Sequence, residues 1–252
     1  MNDLQQLIRK YTVQEDRKIK RICAPLKDYL GVSYFSYFTI SPNGDFAFLS
    51  NYPEEVEFYF SEQLYKTCPY FVHPDLLRAG WAVDDTTPDQ PYSDFIENRY
   101  GVRRLLFLID KEGDKLDGYI FTNKSSEKND LNIYLSKLEL LRKFGRYFVK
   151  EASPLIRKIQ SEQYNIRKAL GEAFEKPFAS TLLGRDDKQA EGFLKTILPL
   201  SKREQDCVDL YRKGHSAQAT AAILGLSRRT VENYFENIKN KLGYESKRDL
   251  LS

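Results

Sequence analysis

Residues 214–243 read GHSAQATAAILGLSRRTVENYFENIKNKLG, and this stretch decides the fold of the C-terminal part of the chain. Ser216 and Ser227 stand just before two helical runs, where a serine side chain can cap the first turn. Gly225 and Gly243 follow the ends of these runs, as glycine commonly does after a helix. The pattern predicts a short helix, a tight turn and a longer helix, which is the helix-turn-helix arrangement.

A further helix precedes this pair. Ser201-Lys202-Arg203-Glu204 has the pattern of a capping box, in which the serine side chain accepts a backbone N–H and the glutamate reaches back to the cap. The helix that begins there is expected to run to Lys213 and to end at Gly214. Three successive capped helices are therefore predicted in the C-terminal segment.

The longer helix, over residues 228–242, has an apolar face and a polar face. The apolar face carries Val231, Tyr234 or Phe235, Ile238 and Leu242. At about 100° per residue, the side chains on the opposite face are Arg229, Asn233, Glu236 and Asn240, with Glu232 beside them. Arginine can bond guanine, asparagine can bond adenine and glutamate can accept from cytosine, so this face suits base edges in a major groove.

The flanks of the same helix carry cations suited to phosphates, namely Arg228, Lys239 and Lys241. The candidate DNA contacts are therefore Ser227, Arg228, Arg229, Thr230, Glu232, Asn233, Glu236, Lys239, Asn240 and Lys241. The alternative is a solvated helix face without a partner, which is common for an amphipathic helix. The three capped helices, in a basic segment, favour DNA over that alternative.

The net positive charge of the chain is confined to this segment. The net charge is +3, which by itself is too small to indicate a nucleic-acid-binding protein. Residues 197–252 contain ten Lys or Arg and seven Asp or Glu, whereas residues 1–196 contain 29 of each. A basic C-terminal module joined to a neutral N-terminal part indicates that the N-terminal part is a sensor and that the C-terminal module binds an anion.

The C-terminal segment also resembles a known family. The matching residues are Leu200-Ser201-x-Arg203-Glu204, Gly214-x-Ser216, Ala221, Leu224-Gly225-Leu226-Ser227-x-x-Thr230-Val231 and Asn237-Ile238-x-x-Lys241-Leu242-Gly243. They are similar to the LuxR/FixJ-type DNA-binding domain of bacterial transcription regulators. The sequence departs from that family at Ala219-Thr220-Ala221, where Glu-Ile-Ala is common, and at Tyr234, where His is frequent. The resemblance implies binding of double-stranded DNA as a homodimer.

Length and composition favour a chain of two domains with no membrane partner. The chain has 252 residues, of which 41% are hydrophobic and 30% are charged. No apolar run approaches the roughly 18 residues of a membrane span, and no secretory signal is recognisable. We therefore expect a cytoplasmic protein.

The cysteines and histidines offer little for metal binding or catalysis. Cys23, Cys68 and Cys207 are far apart, which fits neither a disulfide framework nor a CxxC metal site. His73 and His215 are too few for the clusters that bind zinc. Cys68 and His73 lack a placed acid that would orient the histidine as a base. We expect no metal, no cofactor and no enzymatic activity.

The N-terminal part predicts an antiparallel sheet between helices. The expected elements are a helix over 2–30, a hairpin of strands 32–40 and 45–49, a helix from Pro53, a loop over 66–92 around Trp81, a helix over 93–99, a hairpin of strands 103–109 and 116–121, and a helical region over 130–171 that Pro154 kinks or splits. Hairpins without alternating crossover helices favour an antiparallel sheet. The predicted fold class is α+β, with an α/β/α sandwich over residues 1–171, a linker over 172–196 and an all-α helix-turn-helix domain over 197–252.

This layout resembles the autoinducer-binding domain of quorum-sensing regulators and, more broadly, PAS and GAF sensor domains. Asn51-Tyr52-Pro53 and Tyr100-Gly101-Val102 look like landmarks of the autoinducer-binding domain. In that family a Trp, a Tyr and an Asp bind the polar groups of an acyl-homoserine lactone. The corresponding residues here are Val56, Phe60, and Cys68-Pro69 or Pro69-Tyr70. The comparison implies a sensor domain that does not respond to acyl-homoserine lactones.

An unidentified small molecule is therefore a candidate ligand of this domain. The candidate binding residues are Tyr52, Val56, Phe60, Tyr65 and Trp81, with Tyr34 and Tyr37 as further lining side chains. Because 13% of the residues are aromatic, ordinary core packing remains an alternative role for them. A second alternative is a domain that binds another regulator or RNA polymerase and no small molecule.

Overall fold

The computed structural model describes residues 3–85, 91–102, 104–123, 134, 136–176 and 200–242. They form an α+β N-terminal domain and an all-α C-terminal domain, which confirms the predicted fold class. No helix within these ranges is long and apolar enough to cross a membrane. Among the same residues, no group of three or more His, Cys, Asp or Glu could hold a metal ion.

The N-terminal domain is built on one five-stranded antiparallel sheet. Its strands are β1 (Tyr34–Ile40), β2 (Phe46–Ser50), β3 (Gly80–Asp85), β4 (Arg104–Glu112) and β5 (Lys115–Thr122). Their order across the sheet is β2-β1-β5-β4-β3. The pairs β1–β2 and β4–β5 confirm both predicted hairpins. Gly44 ends the first turn at φ +89°, a left-handed conformation that favours glycine.

The prediction of a continuous loop over residues 66–92 is wrong. Residues 80–85 form β3, the edge strand beside β4, with Trp81 opposite Leu108. The apolar part of β3 is only Trp81-Ala82-Val83, too short to show an alternating pattern in sequence. These residues therefore form a strand because they pair with β4, and the local sequence alone does not predict it.

The helices of the N-terminal domain are α1 (Asp3–Ile8), α2 (Asp16–Leu30), α3 (Pro53–Ser61), α4 (Pro91–Tyr100), α5 (Leu138–Ser161) and α6 (Ile166–Leu170). The single helix expected over residues 2–30 is interrupted by a π-helical turn, Arg9–Val13. This turn brings Thr12 against β2, where its Oγ1 donates to the Phe48 carbonyl at 3.2 Å. α5 is continuous through Pro154, so the proline does not split it.

Helices and turns cover both faces of the sheet. On one face, Phe35 of β1 packs on Phe148 of α5 with ring centroids 4.7 Å apart. α5 lies close to the sheet at Gly145, where an added β-carbon would lie 2.7 Å from the Tyr119 ring. On the other face, Phe38 packs edge-on against Phe71 at 5.0 Å. Aromatic side chains thus form much of the core on each side of the sheet.

The folded N-terminal domain extends past residue 171. A 3₁₀ turn, Gly171–Glu175, buries Phe174 completely. The Phe174 carbonyl accepts a hydrogen bond of 2.7 Å from the backbone N–H of His73. The first five residues of the predicted linker, 172–176, therefore belong to the N-terminal domain, and residues 177–199 lie outside the described part of the chain.

The C-terminal domain contains α7 (Lys202–Arg212), α8 (Ala217–Leu224) and α9 (Arg228–Leu242). It lies against the edge of the sheet, where α9 contacts β3. Immediately before α7, the backbone N–H of Leu200 donates to the Trp81 carbonyl at 2.6 Å. Both residues are buried, so the outer edge of β3 is partly covered by the C-terminal domain.

Candidate nucleic-acid interface

Serine caps set the start of each helix in the C-terminal domain. Ser201 N–H donates to Glu204 Oε2 at 2.6 Å, and Glu204 N–H donates to Ser201 Oγ at 3.3 Å, which completes the capping box of α7. Ser216 Oγ accepts from the third backbone N–H of α8 at 3.2 Å. Ser227 Oγ accepts from that of α9 at 3.0 Å. The three predicted caps are confirmed.

A small apolar core fixes the rotation of α9 about its axis. Its buried members are Cys207, Val208, Ala221, Val231, Phe235 and Ile238. Phe235 is 3% exposed and contacts the Tyr211 ring at 5.2 Å, whereas Tyr234 is only half-buried. Phe235 rather than Tyr234 therefore belongs to the apolar face, and the opposite face of the helix must point away from the core.

That opposite face is open and rich in polar groups. Arg229 and Asn233 are exposed, and neither makes a hydrogen bond or ion pair with another described residue. Glu232 is exposed and accepts from Arg228 Nε at 2.8 Å. Because surface ion pairs of this kind contribute little free energy, Arg228 and Glu232 can exchange their mutual contact for a ligand.

The remaining predicted contacts fall into different environments. Ser227 and Thr230 share a hydroxyl–hydroxyl bond of 2.7 Å at the start of α9. Glu236 pairs with Lys239 Nζ at 3.2 Å along the exposed flank. The side chain of Asn240 lies outside the described part of the structure.

Lys241 has a partner within the domain. Its Nζ lies 2.7 Å from Glu204 Oε2, and the two side chains are 11% and 5% exposed. The sequence assigns Lys241 to a phosphate, but the structure places it in a buried ion pair between α9 and α7. The amphipathic pattern could not reveal this, because the partner lies on another helix.

Asn237 is an additional polar residue at the same surface. It is exposed, and it follows Asn233 by one helical turn. Asn237 belongs to the residues that resemble the LuxR/FixJ-type domain, and its spacing from Asn233 is the sequence signal that places it on this face. The exposed surface of α9 that could face DNA thus includes Arg229, Asn233 and Asn237.

Comparison with known proteins assigns this domain to a family. Residues 198–252 match the family described as bacterial regulatory proteins, luxR family. The C-terminal domain is a LuxR-family domain. No curated protein sequence matches the chain.

Several solved structures are similar to the chain. SdiA of Escherichia coli is 17% identical, with 99% of this chain and 95% of that chain covered at a TM-score of 0.41. SdiA in complex with octanoyl-rac-glycerol is 16% identical, with 100% and 94% covered at a TM-score of 0.37. CepR2 from Burkholderia cenocepacia, described as an N-acylhomoserine lactone dependent LuxR family transcription factor, is 14% identical, with 63% and 98% covered at a TM-score of 0.39.

The candidate ligand residues, which precede the LuxR-family domain in the chain, do not form one cluster. Val56 and Phe60 of α3 are buried on the sheet face that carries Phe48, whose ring lies 5.1 Å from that of Phe60. Tyr65 packs on Phe60 at 5.6 Å. Trp81 lies on the opposite face of the sheet, because its partner Leu108 pairs with Tyr119, which contacts α5. The structure therefore does not bring Trp81 together with Val56, Phe60 and Tyr65, and Tyr37 lies on the face of Trp81.

Tyr52 is a member of this set with a buried hydroxyl. Its ring stacks on Tyr34 at 4.1 Å and meets Tyr100 edge-on at 4.4 Å. Its hydroxyl is buried without a hydrogen-bond partner among the described residues. Burial raises the pKa of Tyr52 above its usual value, with smaller contributions from Tyr34 and Tyr100, so the hydroxyl remains a neutral donor.

Proposed function

We propose that the protein is a bacterial transcription regulator in which α9 of the LuxR-family domain reads double-stranded DNA. The exposed pair Arg229 and Asn233, without partners among the described residues, is the observation that carries this proposal. The two side chains lie one helical turn apart, so they can bond a guanine and an adenine on nearby base pairs. Arg228 and Lys239 on the flanks supply cations for the phosphates.

The regulator acts as a homodimer on a roughly palindromic site. Helix-turn-helix proteins commonly place two recognition helices about 34 Å apart, one turn of DNA, and the two-fold symmetry of the dimer then matches an inverted repeat. The protein works in the cytoplasm and catalyses no reaction. RNA polymerase is its partner in changing transcription.

The N-terminal domain controls the LuxR-family domain and does not bind acyl-homoserine lactones. Val56 and Phe60 stand where polar anchors for a lactone would be required; both are buried, and Phe60 packs against the Phe48 ring. The buried hydroxyl of Tyr52 favours a small ligand with one acceptor atom next to apolar groups. A domain that binds a partner protein instead is the second candidate, and the close packing of Phe38, Phe60 and Phe71 favours it.

Selection of bound sequences from random double-stranded DNA tests this function. The full chain is incubated with the pool at about 50 mM and about 200 mM salt, and the bound fraction is sequenced. We expect an inverted repeat to be enriched at both salt concentrations, with weaker binding overall at the higher one. A bound pool without sequence preference at either salt concentration would contradict the proposal. Native mass spectrometry of the purified protein separates the two candidates for the N-terminal domain, because only the first predicts a copurified small molecule that is largely apolar.

A further inference from the structure

A cleft of about 660 Å³ lies on the N-terminal domain, and no residue of the LuxR-family domain lines it. It is bounded by α1, by the 3₁₀ turn Leu64–Thr67, and by the segment that joins α5 to α6 together with α6 itself. Its floor includes Leu4, Leu7 and Tyr65, which are buried, whereas its rim is polar. The cleft is thus a concave site with an apolar base and charged edges.

Hydrogen bonds between distant segments hold the walls of the cleft in place. Glu162 accepts from Lys10 Nζ and from the Tyr11 hydroxyl, each at 2.6 Å, which joins the end of α5 to the N-terminal helices. The backbone of Tyr164 accepts from Phe46 N–H of β2 at 3.2 Å. These hydrogen bonds fix this wall of the cleft relative to the sheet and the N-terminal helices, so a ligand would bind to a preformed surface.

Most of the uncommitted side chains in the cleft are hydrogen-bond donors. Lys66 and Lys168 are exposed ammonium groups that make no bond with another described residue. The hydroxyls of Tyr65 and Tyr164 also lack partners among the described residues, and burial raises both of their pKa values, so they stay protonated. Two acidic residues line the cleft, Asp3 and Glu162, and Glu162 is paired with Lys10. The set therefore favours a ligand rich in acceptors and negative charge.

Two helices end at the edge of the cleft. Gln63 has φ +57° and Gln163 has φ +52°, and they are the non-glycine residues with left-handed backbone in the described part of the chain. Both residues line this cleft. Gln63 follows the C-cap Glu62 and Gln163 follows the C-cap Glu162, so each left-handed residue ends a helix at the edge of the cleft.

We propose that this cleft binds a small hydroxylated molecule that carries one oxyanion group, either a phosphate or a carboxylate. Lys66 and Lys168 neutralise the oxyanion. The amides of Gln63 and Gln163 and the hydroxyl of Tyr164 bond the hydroxyl groups of the ligand. Neither the assigned family domain nor the DNA-binding proposal requires this site.

Calorimetry with four probes tests the proposal at constant ionic strength. The probes are glycerol 3-phosphate, glycerate, inorganic phosphate and uncharged glycerol. The full chain is compared with a Lys66→Gln/Lys168→Gln variant and with a Lys143→Gln/Lys150→Gln control, whose two exposed lysines lie on α5 and do not line the cleft. Circular dichroism confirms that both variants fold, as expected for changes at exposed positions.

Saturable binding of glycerol 3-phosphate or glycerate is expected, with no binding of glycerol at the same concentrations. The Lys66/Lys168 variant should lose about tenfold or more in affinity, and the control should match the unmodified chain. Preference for one probe over the other identifies the oxyanion, and weaker binding of inorganic phosphate shows that the hydroxyl groups contribute. The proposal is overturned if neither organic anion saturates below about 10 mM, if the control loses as much affinity, or if glycerol binds equally well.

Discussion

Lys241 and Glu204 form a buried ion pair that joins the end of α9 to the start of α7, with Nζ and Oε2 2.7 Å apart. Glu204 Oε2 also accepts from the Ser201 N–H of the capping box. One carboxylate therefore serves both the start of a helix and the contact between two helices. The polar face of α9 is held towards solvent partly by this pair.

We predict that Lys241→Ala destabilises the LuxR-family domain. Removing the ammonium group leaves the Glu204 carboxylate buried without its counter-ion, which costs about 3 to 5 kcal/mol in comparable pairs. Urea denaturation followed by circular dichroism measures the loss. Lys239→Ala is the matched control, because its pair with Glu236 lies at the surface and is worth no more than about 1 kcal/mol. Unchanged stability of Lys241→Ala, together with weaker binding to all DNA, would restore Lys241 as a phosphate contact.

The close approach of Gly118 and Phe38 gives a prediction for the N-terminal domain. A β-carbon at Gly118 would overlap the Phe38 ring, which is fully buried. We expect Gly118→Ala to lower the free energy of unfolding by about 1 to 3 kcal/mol, because a packed core resists extra volume. Adding Phe38→Leu should recover part of the loss. A double variant less stable than the sum of the single changes would show that the overlap is not the cause.

Thiol reactivity should follow burial. Burial raises the pKa of the Cys23 thiol to about 12 and that of Cys207 to about 11, so the reactive thiolate is scarce at pH 8. We predict that iodoacetamide labels the half-buried Cys68 first, and that labelling of Cys207 accelerates as the pH rises towards 11. Peptide mass spectrometry of timed samples measures each rate. Equal labelling of Cys68 and Cys207 at pH 8 in the folded protein would contradict the buried position of Cys207.

The sequence predicts those helices and strands that are recognised from residues close together in the chain. The helices α7, α8 and α9 are identified by a serine cap before each helix, by a glycine after it and by an apolar stripe. The Asn-Gly turn identifies the β1–β2 hairpin. These features depend on residues only a few positions apart. The same periodicity indicates that Arg229 and Asn233 share an exposed face.

Features that depend on distant partners could not be predicted in this way. β3 exists because β4 pairs with it, and Trp81 faces α5 because of the register of that pairing. Lys241 is withdrawn from the surface by Glu204, 37 residues earlier in the chain. The cleft beside Gln63 and Gln163 joins three separate segments. In each case a tertiary contact decides what the local pattern leaves open.

The N-terminal domain is predicted not to bind acyl-homoserine lactones at micromolar concentrations. Val56, Phe60 and the absent aspartate remove about three hydrogen bonds, each worth about 1 kcal/mol or more when a ligand group is left unpaired. The loss of about 3 to 6 kcal/mol corresponds to a hundredfold to ten-thousandfold or more in affinity. Calorimetry with a panel of acyl chain lengths measures this. Saturable binding below about 1 µM would mean that Tyr52 or Tyr65 replaces the missing anchors.

The most direct test of DNA reading by α9 compares single variants on a selected site and on random DNA of equal length. We predict that Arg229→Ala and Asn233→Ala each weaken binding to the selected site by about 1 to 3 kcal/mol and relax the preference at separate base pairs, with little change on random DNA. Lys239→Ala, which removes a proposed phosphate contact on the flank of α9, should weaken both DNAs alike. Equal losses on selected and random DNA for Arg229→Ala and Asn233→Ala would contradict the assignment of this face to base recognition.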